Sequence, residues 1–179
     1  MMDKDIKNVL FTREQIVEAV TRIADGISRD YSGLNPLVVG ILKGSFIFMA
    51  DLVRAIKTPC ELDFMAVSSY GAGTRTSGEV KIIKDLNASI AGRHVIVMED
   101  ILDSGLTLSY ILGVLKARQP ASIALCALLN KPDRRRIRVE CKYIGFDIPD
   151  EFVVGYGLDY REKYRNLPYI GVLDPKVYL

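Results

Sequence analysis

The sequence predicts an α/β protein: a mostly parallel core sheet with helices on both faces and a flexible loop. Three observations predict it. Several short segments, Leu37 to Leu42 foremost, are apolar at every position, as in strands buried on both faces. Segments of helical period alternate with them, the arrangement that produces a parallel sheet. Nearly every polar cluster lies just after an apolar run, and such sheets bind ligands outside the carboxyl ends of their strands.

Thr12 and Gln15 form a capping box and Ile16, Val20, Ile23 and Ile27 recur at helical spacing, so a helix opens at Thr12 and ends near Ser32 and Gly33. Leu37 to Leu42 is the first buried strand, broken by Lys43, Gly44 and Ser45, and Phe46 to Ile56 is the next helix. Glu61 to Val67 is a second strand. Residues 68–78, where Gly71, Gly73 and Gly78 sit among small polar side chains, read as a mobile loop. His94 to Met98 is another apolar strand. Ser104 to Thr107 can cap a helix carrying Leu108, Ile111, Leu112 and Leu115, and Pro120 stops the helical pattern. Ile123 to Leu129 and Tyr143 to Phe146 add two further strands.

With 179 residues, 49% hydrophobic and 26% charged, the chain has the material for one full core, and a single domain over residues 1–179 is expected. A formal net charge of +2 is too small for a protein that grips nucleic acid mainly by neutralising phosphates, so no nucleic-acid partner is expected, while a small anionic substrate remains compatible. The opening MMDKDIKNVL mixes charges into its first residues, and no later segment approaches the roughly 18 apolar residues of a spanning helix. A cytoplasmic protein with no membrane partner is therefore expected. Cys60, Cys126 and Cys141 show neither CxxC spacing nor an even count, which excludes a disulfide framework and a zinc ribbon. His94, the only histidine, enters a strand and reads as structural, which disfavours Ser-His-Asp and Cys-His hydrolysis.

The most informative segment runs from Val95 to Thr107, VIVMEDILDSGLT. An apolar strand ends in the adjacent carboxylates Glu99 and Asp100. A third carboxylate, Asp103, precedes a turn of Ser104 and Gly105 that starts a helix. A helix N-terminus carries unpaired N–H groups and partial positive charge, so Ser104 to Thr107 can wrap a phosphate with backbone donors and two hydroxyls. No Walker lysine is present. Carboxylates beside an anion repel it unless they address something else, such as Mg2+ or the hydroxyls of a sugar attached to the phosphate. Acids, glycine turn and apolar strand in this order ask for a sugar phosphate with a metal.

This segment resembles the phosphoribosyl-pyrophosphate signature of the type I phosphoribosyltransferases. The resemblance extends to the hypoxanthine-guanine phosphoribosyltransferases through Leu42-Lys43-Gly44, the Ser69-Tyr70 loop, Leu129-Asn130-Lys131-Pro132 and the segment from Asp150 to Tyr160, DEFVVGYGLDY. It covers the chain from about Leu37 to Val172; the first residues and the tail from Asp174 to Leu179 carry no such motif. The resemblance implies that the core sheet carries a flexible lid loop and a small hood formed by the terminal segments, and it implies Mg2+-dependent transfer of 5-phosphoribose from phosphoribosyl pyrophosphate to a 6-oxopurine, by a homodimer or homotetramer. It implies that Asp103 takes the proton from N7 as N9 attacks the anomeric carbon. Glu99 and Asp100 would hold the ribose hydroxyls and Mg2+, and Ser104, Gly105, Leu106 and Thr107 would surround the 5-phosphate, Leu106 with no specific side-chain role. Lys43 and Gly44, joined by Arg165, would contact pyrophosphate. Ser69 and Tyr70, in the lid, would be substrate-binding residues. Lys131 would donate to the purine O6, Phe152 would stack on the ring, Val153 would meet it through its backbone, and Asp159 would lie by the exocyclic edge and a second Mg2+.

These roles also make chemical sense by themselves. Departure of pyrophosphate leaves an oxocarbenium-like sugar, so a site needs cations on the leaving group, carboxylates near the ribose and a lid against water. Blander readings stand beside them: Lys43 as a solvated turn lysine and Phe152 as core. Arg134, Arg135, Arg136 and Arg138 read as a solvated turn after Pro132, with RNA binding as the alternative. A nucleotide-sensing regulator is disfavoured by Asp103 and Lys131, which a sensor does not need. A pyrimidine or adenine phosphoribosyltransferase is disfavoured by Lys131 and the FVVGYGLDY segment.

Overall fold

The computed structural model describes residues 2–69 and 80–178. A short 3-10 turn leads into β1 (Ile6–Phe11) and then α1 (Arg13–Asp30). The Gln15 N–H donates to Thr12 Oγ1 at 3.4 Å and the Thr12 N–H donates to Gln15 Oε1 at 2.9 Å, which is the expected capping box. Along α1 the residues at helical spacing, Ile16, Val20, Ile23 and Ile27, are all buried. Next come β2 (Leu37–Leu42), α2 (Phe46–Ala55), β3 (Glu61–Ser69), β4 (Val80–Lys84), β5 (His94–Leu102), α3 (Leu106–Lys116), β6 (Ser122–Asn130), β7 (Tyr143–Asp147), β8 (Val153–Val154) and β9 (Ile170–Leu173).

Six strands form the core sheet in the order β4-β3-β2-β5-β6-β7, and every neighbouring pair is parallel except β3 with β4. The chain winds outward from the centre in both directions, so the order reverses between β2 and β5. At that reversal the loops leaving the two strands diverge and open a crevice at their carboxyl ends. Val95 to Met98 of β5 are fully buried. Ile96 and Met98 pack in the cluster containing α1 and α2 residues, whereas Val95 and Val97 pack in the cluster containing Leu108, Ile111 and Leu115 of α3. Two-faced burial is the reason these strands are apolar at every position. A second, antiparallel sheet of β1, β9 and β8 forms the hood from both terminal segments.

Several boundaries differ from the sequence reading. β5 does not stop at Met98 but continues to Leu102, because Glu99, Ile101 and Leu102 keep their ladder with β6. The loop expected over residues 68–78 begins later, since Ser68 and Ser69 pair with Lys81 and Val80 of β4; the backbone ladder outweighs the modest strand preference of serine. The rest of that loop, including Tyr70, lies outside the described residues, as does the side chain of Ser69. β4 has no counterpart in the sequence reading: it is a short edge strand in which Lys81 falls at an outward position, a charge of the kind that blunts exposed edges. No helix among the described residues is long and apolar enough to cross a membrane.

Candidate active site

The turn between β5 and α3 is built around Gly105. Its φ of +82° belongs to the left-handed region, and a Cβ there would lie 2.5 Å from the Ile137 carbonyl oxygen, so the residue can only be glycine. The Ser104 hydroxyl accepts from the Leu106 N–H at 3.4 Å, and the Ser104 carbonyl accepts from the N–H groups of Arg136 and Ile137 at 2.9 and 3.1 Å. The first turn of α3 thus begins just past the carboxyl end of β5 with N–H groups that have no intrahelical acceptor, an arrangement suited to an anion such as phosphate.

Arg135 braces this turn from behind. Its Nε donates to the Asp103 carbonyl at 2.9 Å, and its Nη2 donates to the Leu102 carbonyl at 3.1 Å and to Asn130 Oδ1 at 2.5 Å. One planar guanidinium thus ties the last residue of β5, the following acid and the end of β6 together. Arg134 points the other way. Its Nε lies 3.4 Å from Asp103 Oδ1 and its Nη1 lies 3.5 Å from Asp150 Oδ2. The arginine run is therefore not simply a solvated turn: Arg134 is engaged at the crevice and Arg135 behind the turn, instead of forming a free basic face.

Glu99 and Asp100 sit inside the sheet rather than beyond it. Burial, then the Asp100 charge, push the Glu99 carboxyl well above its ordinary range, and its Oε2 is enclosed with no hydrogen-bond partner. Burial raises Asp100 as well, opposed by a hydrogen bond from Glu99 and by the Ile101 N–H, which donates to Asp100 Oδ1 at 2.8 Å. Gly44, just past β2, lies directly on Asp100: a Cβ at this position would fall 1.6 Å from Asp100 Oδ2. Only glycine permits that approach, which joins the β2 loop to the acid pair across the strand-order reversal. The Leu42–Lys43 peptide is cis. Lys43 Nζ lies 3.2 Å from Glu162 Oε2, and Arg165 Nη2 lies 3.3 Å from the same atom, so two cations share one exposed carboxylate. The hydrogen bond from Lys43 is the main cause of the lowered Glu162 pKa. Arg165 also pairs with Asp159 Oδ1 at 2.8 Å and donates to the Gly157 carbonyl at 2.8 Å. The Glu162 N–H donates to Asp159 Oδ2 at 2.9 Å, so both oxygens of Asp159 are engaged.

A cavity of about 480 Å³ opens beside these groups and is lined by Asp100, Asp103, Lys131, Phe152, Val153 and Asp159 among others. Lys131 is only 8% exposed; its ammonium donates to the Glu151 carbonyl at 2.6 Å and lies 3.6 Å from Asp150 Oδ1. Phe152 is 40% exposed, so it is not a core residue. Asp103 Oδ1 is enclosed and has no hydrogen-bond partner. A carboxylate oxygen without a hydrogen-bond donor, an ammonium and an open aromatic face thus meet in one pocket, a set suited to a planar heterocycle with polar edges.

Six sequence-predicted residues therefore share one cavity, and Ser104, Gly105, Leu106 and Thr107 come directly after Asp103. Lys43, Gly44 and Arg165 form a second group, joined to the first through the Gly44–Asp100 contact. Sequence reasoning missed the separate positions of Arg134 and Arg135 and the presence of Tyr178 in the cavity wall. The arginine run itself was visible. Among the described residues no group of three or more acidic, histidine or cysteine side chains is gathered as a metal cage.

The family model for the phosphoribosyl transferase domain matches residues 9–161. The chain is 54% identical over 177 residues to the bifunctional protein TilS/HprT of Listeria monocytogenes, and this match takes in 99% of the chain but spans only 27% of the length of that relative. It is 52% identical over 178 residues to the hypoxanthine-guanine phosphoribosyltransferase of Bacillus subtilis, covering 99% of each. Among solved structures, a hypoxanthine phosphoribosyltransferase from Staphylococcus aureus superimposes with a TM-score of 0.96 at 52% identity, over 99% of this chain and 97% of that one. The crevice at the strand-order reversal, with its acid pair and the Gly105 turn, thus lies within the matched region, and the chain belongs to the phosphoribosyl transferase domain family.

Proposed function

We propose that this protein transfers 5-phosphoribose from phosphoribosyl pyrophosphate to hypoxanthine or guanine, giving IMP or GMP and pyrophosphate, as a purine salvage enzyme. The observation that carries this reading is the enclosed Asp103 oxygen, which has no hydrogen-bond donor and only the Arg134 guanidinium 3.4 Å away, in the cavity that also holds the Lys131 ammonium and the open face of Phe152. In this reading Phe152 stacks on the purine and the Val153 backbone meets its edge. Lys131, with two donors beyond the one given to Glu151, supplies one to O6. Asp103 accepts the N7 proton as N9 attacks the anomeric carbon. Ser104, Gly105, Leu106 and Thr107 hold the 5-phosphate at the start of α3. Lys43, Gly44 and Arg165 take the pyrophosphate, which requires Glu162 to release the two cations that it now shares.

Mg2+ fits the residues present. It is commonly held by one or two carboxylates together with substrate oxygens rather than by a protein cage, and Glu99 keeps an enclosed, unpartnered oxygen beside Asp100. Glu99 and Asp100 would hold the ion with the ribose hydroxyls, and it would supply charge neutralisation for the departing pyrophosphate. Asp159 is less available, because Arg165 and the Glu162 N–H occupy its oxygens. The same reading places the protein in the cytoplasm as a homodimer or homotetramer.

A steady-state assay of hypoxanthine, guanine, xanthine and adenine with phosphoribosyl pyrophosphate, with and without Mg2+, tests the proposal. Turnover of hypoxanthine or guanine that is lost with a chelator is expected. Turnover of adenine alone, or of no purine, overturns it.

A further inference from the structure

The tail beyond β9 carries no motif, yet it puts an aromatic ring into the base cavity. Tyr178 lines the same wall as Phe152, and the two ring centroids lie 5.1 Å apart with the planes inclined by 30°. That separation is too short for a purine between them, so Tyr178 packs on Phe152 itself. Tyr160 closes the group edge-on, 5.6 Å from Phe152 at 88° and 6.3 Å from Tyr178. Phe152 thus enters the cavity held by two other rings.

The tail is tied down rather than draped. The Leu173 N–H donates to the Phe152 carbonyl at 2.8 Å and the Asp174 N–H donates to the Asp5 carbonyl at 2.8 Å. Asp174 Oδ1 accepts from the Lys176 N–H at 3.0 Å and so caps the short turn Pro175–Val177. The Tyr178 N–H donates to the Pro175 carbonyl at 3.2 Å, which ends the turn with its ring over Phe152. Backbone and side chain of Phe152 are therefore both held by the last residues of β9 and the turn beyond it. An aromatic platform contributes to binding only insofar as its plane is already fixed, since ordering it on binding costs affinity.

We propose that Tyr178 is a positioning residue for the purine: by packing on Phe152 it fixes the plane of the ring on which the base stacks, and so sets purine affinity without touching the reacting atoms. The inference rests on the stacking role given to Phe152 above. Aromatic pairs of this kind support an effect of about two- to tenfold when one ring is removed.

The test measures KM for hypoxanthine, KM for phosphoribosyl pyrophosphate and kcat in the full-length protein carrying Tyr178→Ala, Tyr178→Leu or Tyr178→Phe, with Phe152→Ala in parallel. Tyr178→Ala and Tyr178→Leu should each raise KM for hypoxanthine about two- to tenfold, with little change in donor KM or kcat, and Tyr178→Phe should restore the wild-type value. Tyr178→Leu keeps most of the volume, so it reports on the ring even if the alanine variant folds poorly. The chain contains no tryptophan, so Tyr178→Trp adds a single fluorophore whose emission should change saturably with IMP. If Phe152→Ala raises purine KM while Tyr178→Ala and Tyr178→Leu leave it unchanged, the inference fails and the stacking role stands. If Phe152→Ala also leaves it unchanged, both fail.

Discussion

Replacing Arg135 with methionine should damage both stability and donor binding. Methionine keeps the apolar stem and removes the guanidinium, so three acceptors each lose a donor at once: the carbonyls of Leu102 and Asp103 and Oδ1 of Asn130. The Leu102 carbonyl keeps the Lys131 N–H, which donates to it at 3.0 Å, so it loses one of two donors, at about 0.5–1.5 kcal/mol. Asp103 and Asn130 are partly exposed and can take water instead, so each loses only about 0.5–1.5 kcal/mol. Because the three bonds share one donor they do not add independently, and a total near 1–3 kcal/mol results. For a chain of this size that lowers Tm by roughly 3–10 °C, measured by circular dichroism. Asp103 and the turn behind it would lose their brace, and displacing a reacting group by about 1 Å can cost roughly 100-fold, so kcat/KM for phosphoribosyl pyrophosphate should fall about 10- to 100-fold. Arg135→Lys should recover less than half of either loss, because an ammonium cannot span acceptors that a planar fork reaches together. An Arg135→Met protein with Tm within about 1–2 °C of wild type and donor kcat/KM within about twofold would refute the bracing role.

Asp103→Asn should lower kcat with hypoxanthine about 10²- to 10⁴-fold while leaving donor KM within a few-fold, since the amide keeps the shape of the turn and loses the base; near-wild-type kcat refutes that role. Lys131→Ala should lose most activity on hypoxanthine and guanine, narrowing the preference over adenine by that loss rather than by any gain; an unchanged ratio of kcat/KM values moves discrimination to the backbone around Val153. Burial and the Asp100 charge raise the Glu99 pKa, so above the ordinary carboxylate pKa the folded protein retains a proton that the unfolded chain has released, and stability falls as pH rises towards the folded value. In chelating buffer Glu99→Gln should therefore flatten the dependence of Tm on pH and raise Tm at about pH 8, and in Mg2+ buffer it should lower donor kcat/KM; equal Tm slopes for the two proteins refute the assignment.

The parts of the fold that were legible are those decided by local chemistry. The capping box at Thr12 and Gln15 needs only residues three apart, and the apolar runs of β2, β5 and β6 announce burial on both faces by themselves. The turn at Gly105 is equally local, because its φ sign alone demands glycine. The parts that stayed hidden depend on partners far along the chain. β4 is short and half-polar, and becomes a strand only because β3 offers an edge to pair with. Arg134, Arg135 and Arg136 have the same charge and near-equal neighbours in sequence. A short 3-10 turn after Lys131 decides which of them faces the cavity and which lies behind the phosphate turn.

The acid pair shows where local reading and fold part company for a reason. An apolar run followed by Glu99 and Asp100 reads as a strand that ends at the first charge, because carboxylates belong in water. β5 instead carries both acids within its paired length, next to a glycine whose lack of a side chain is the only reason the β2 loop can approach them. Nothing about stability asks for this: burial raises both carboxyl groups and leaves Glu99 Oε2 without a donor. A pair of acids held at such a cost in the centre of the sheet is accounted for by what it receives from outside, the cation and hydroxyls of the proposed donor. The point at which strand propensity fails is thus the point at which the site begins. The residue types there were plain from the sequence, whereas their enclosure depended on the meeting of β2, β5 and β6.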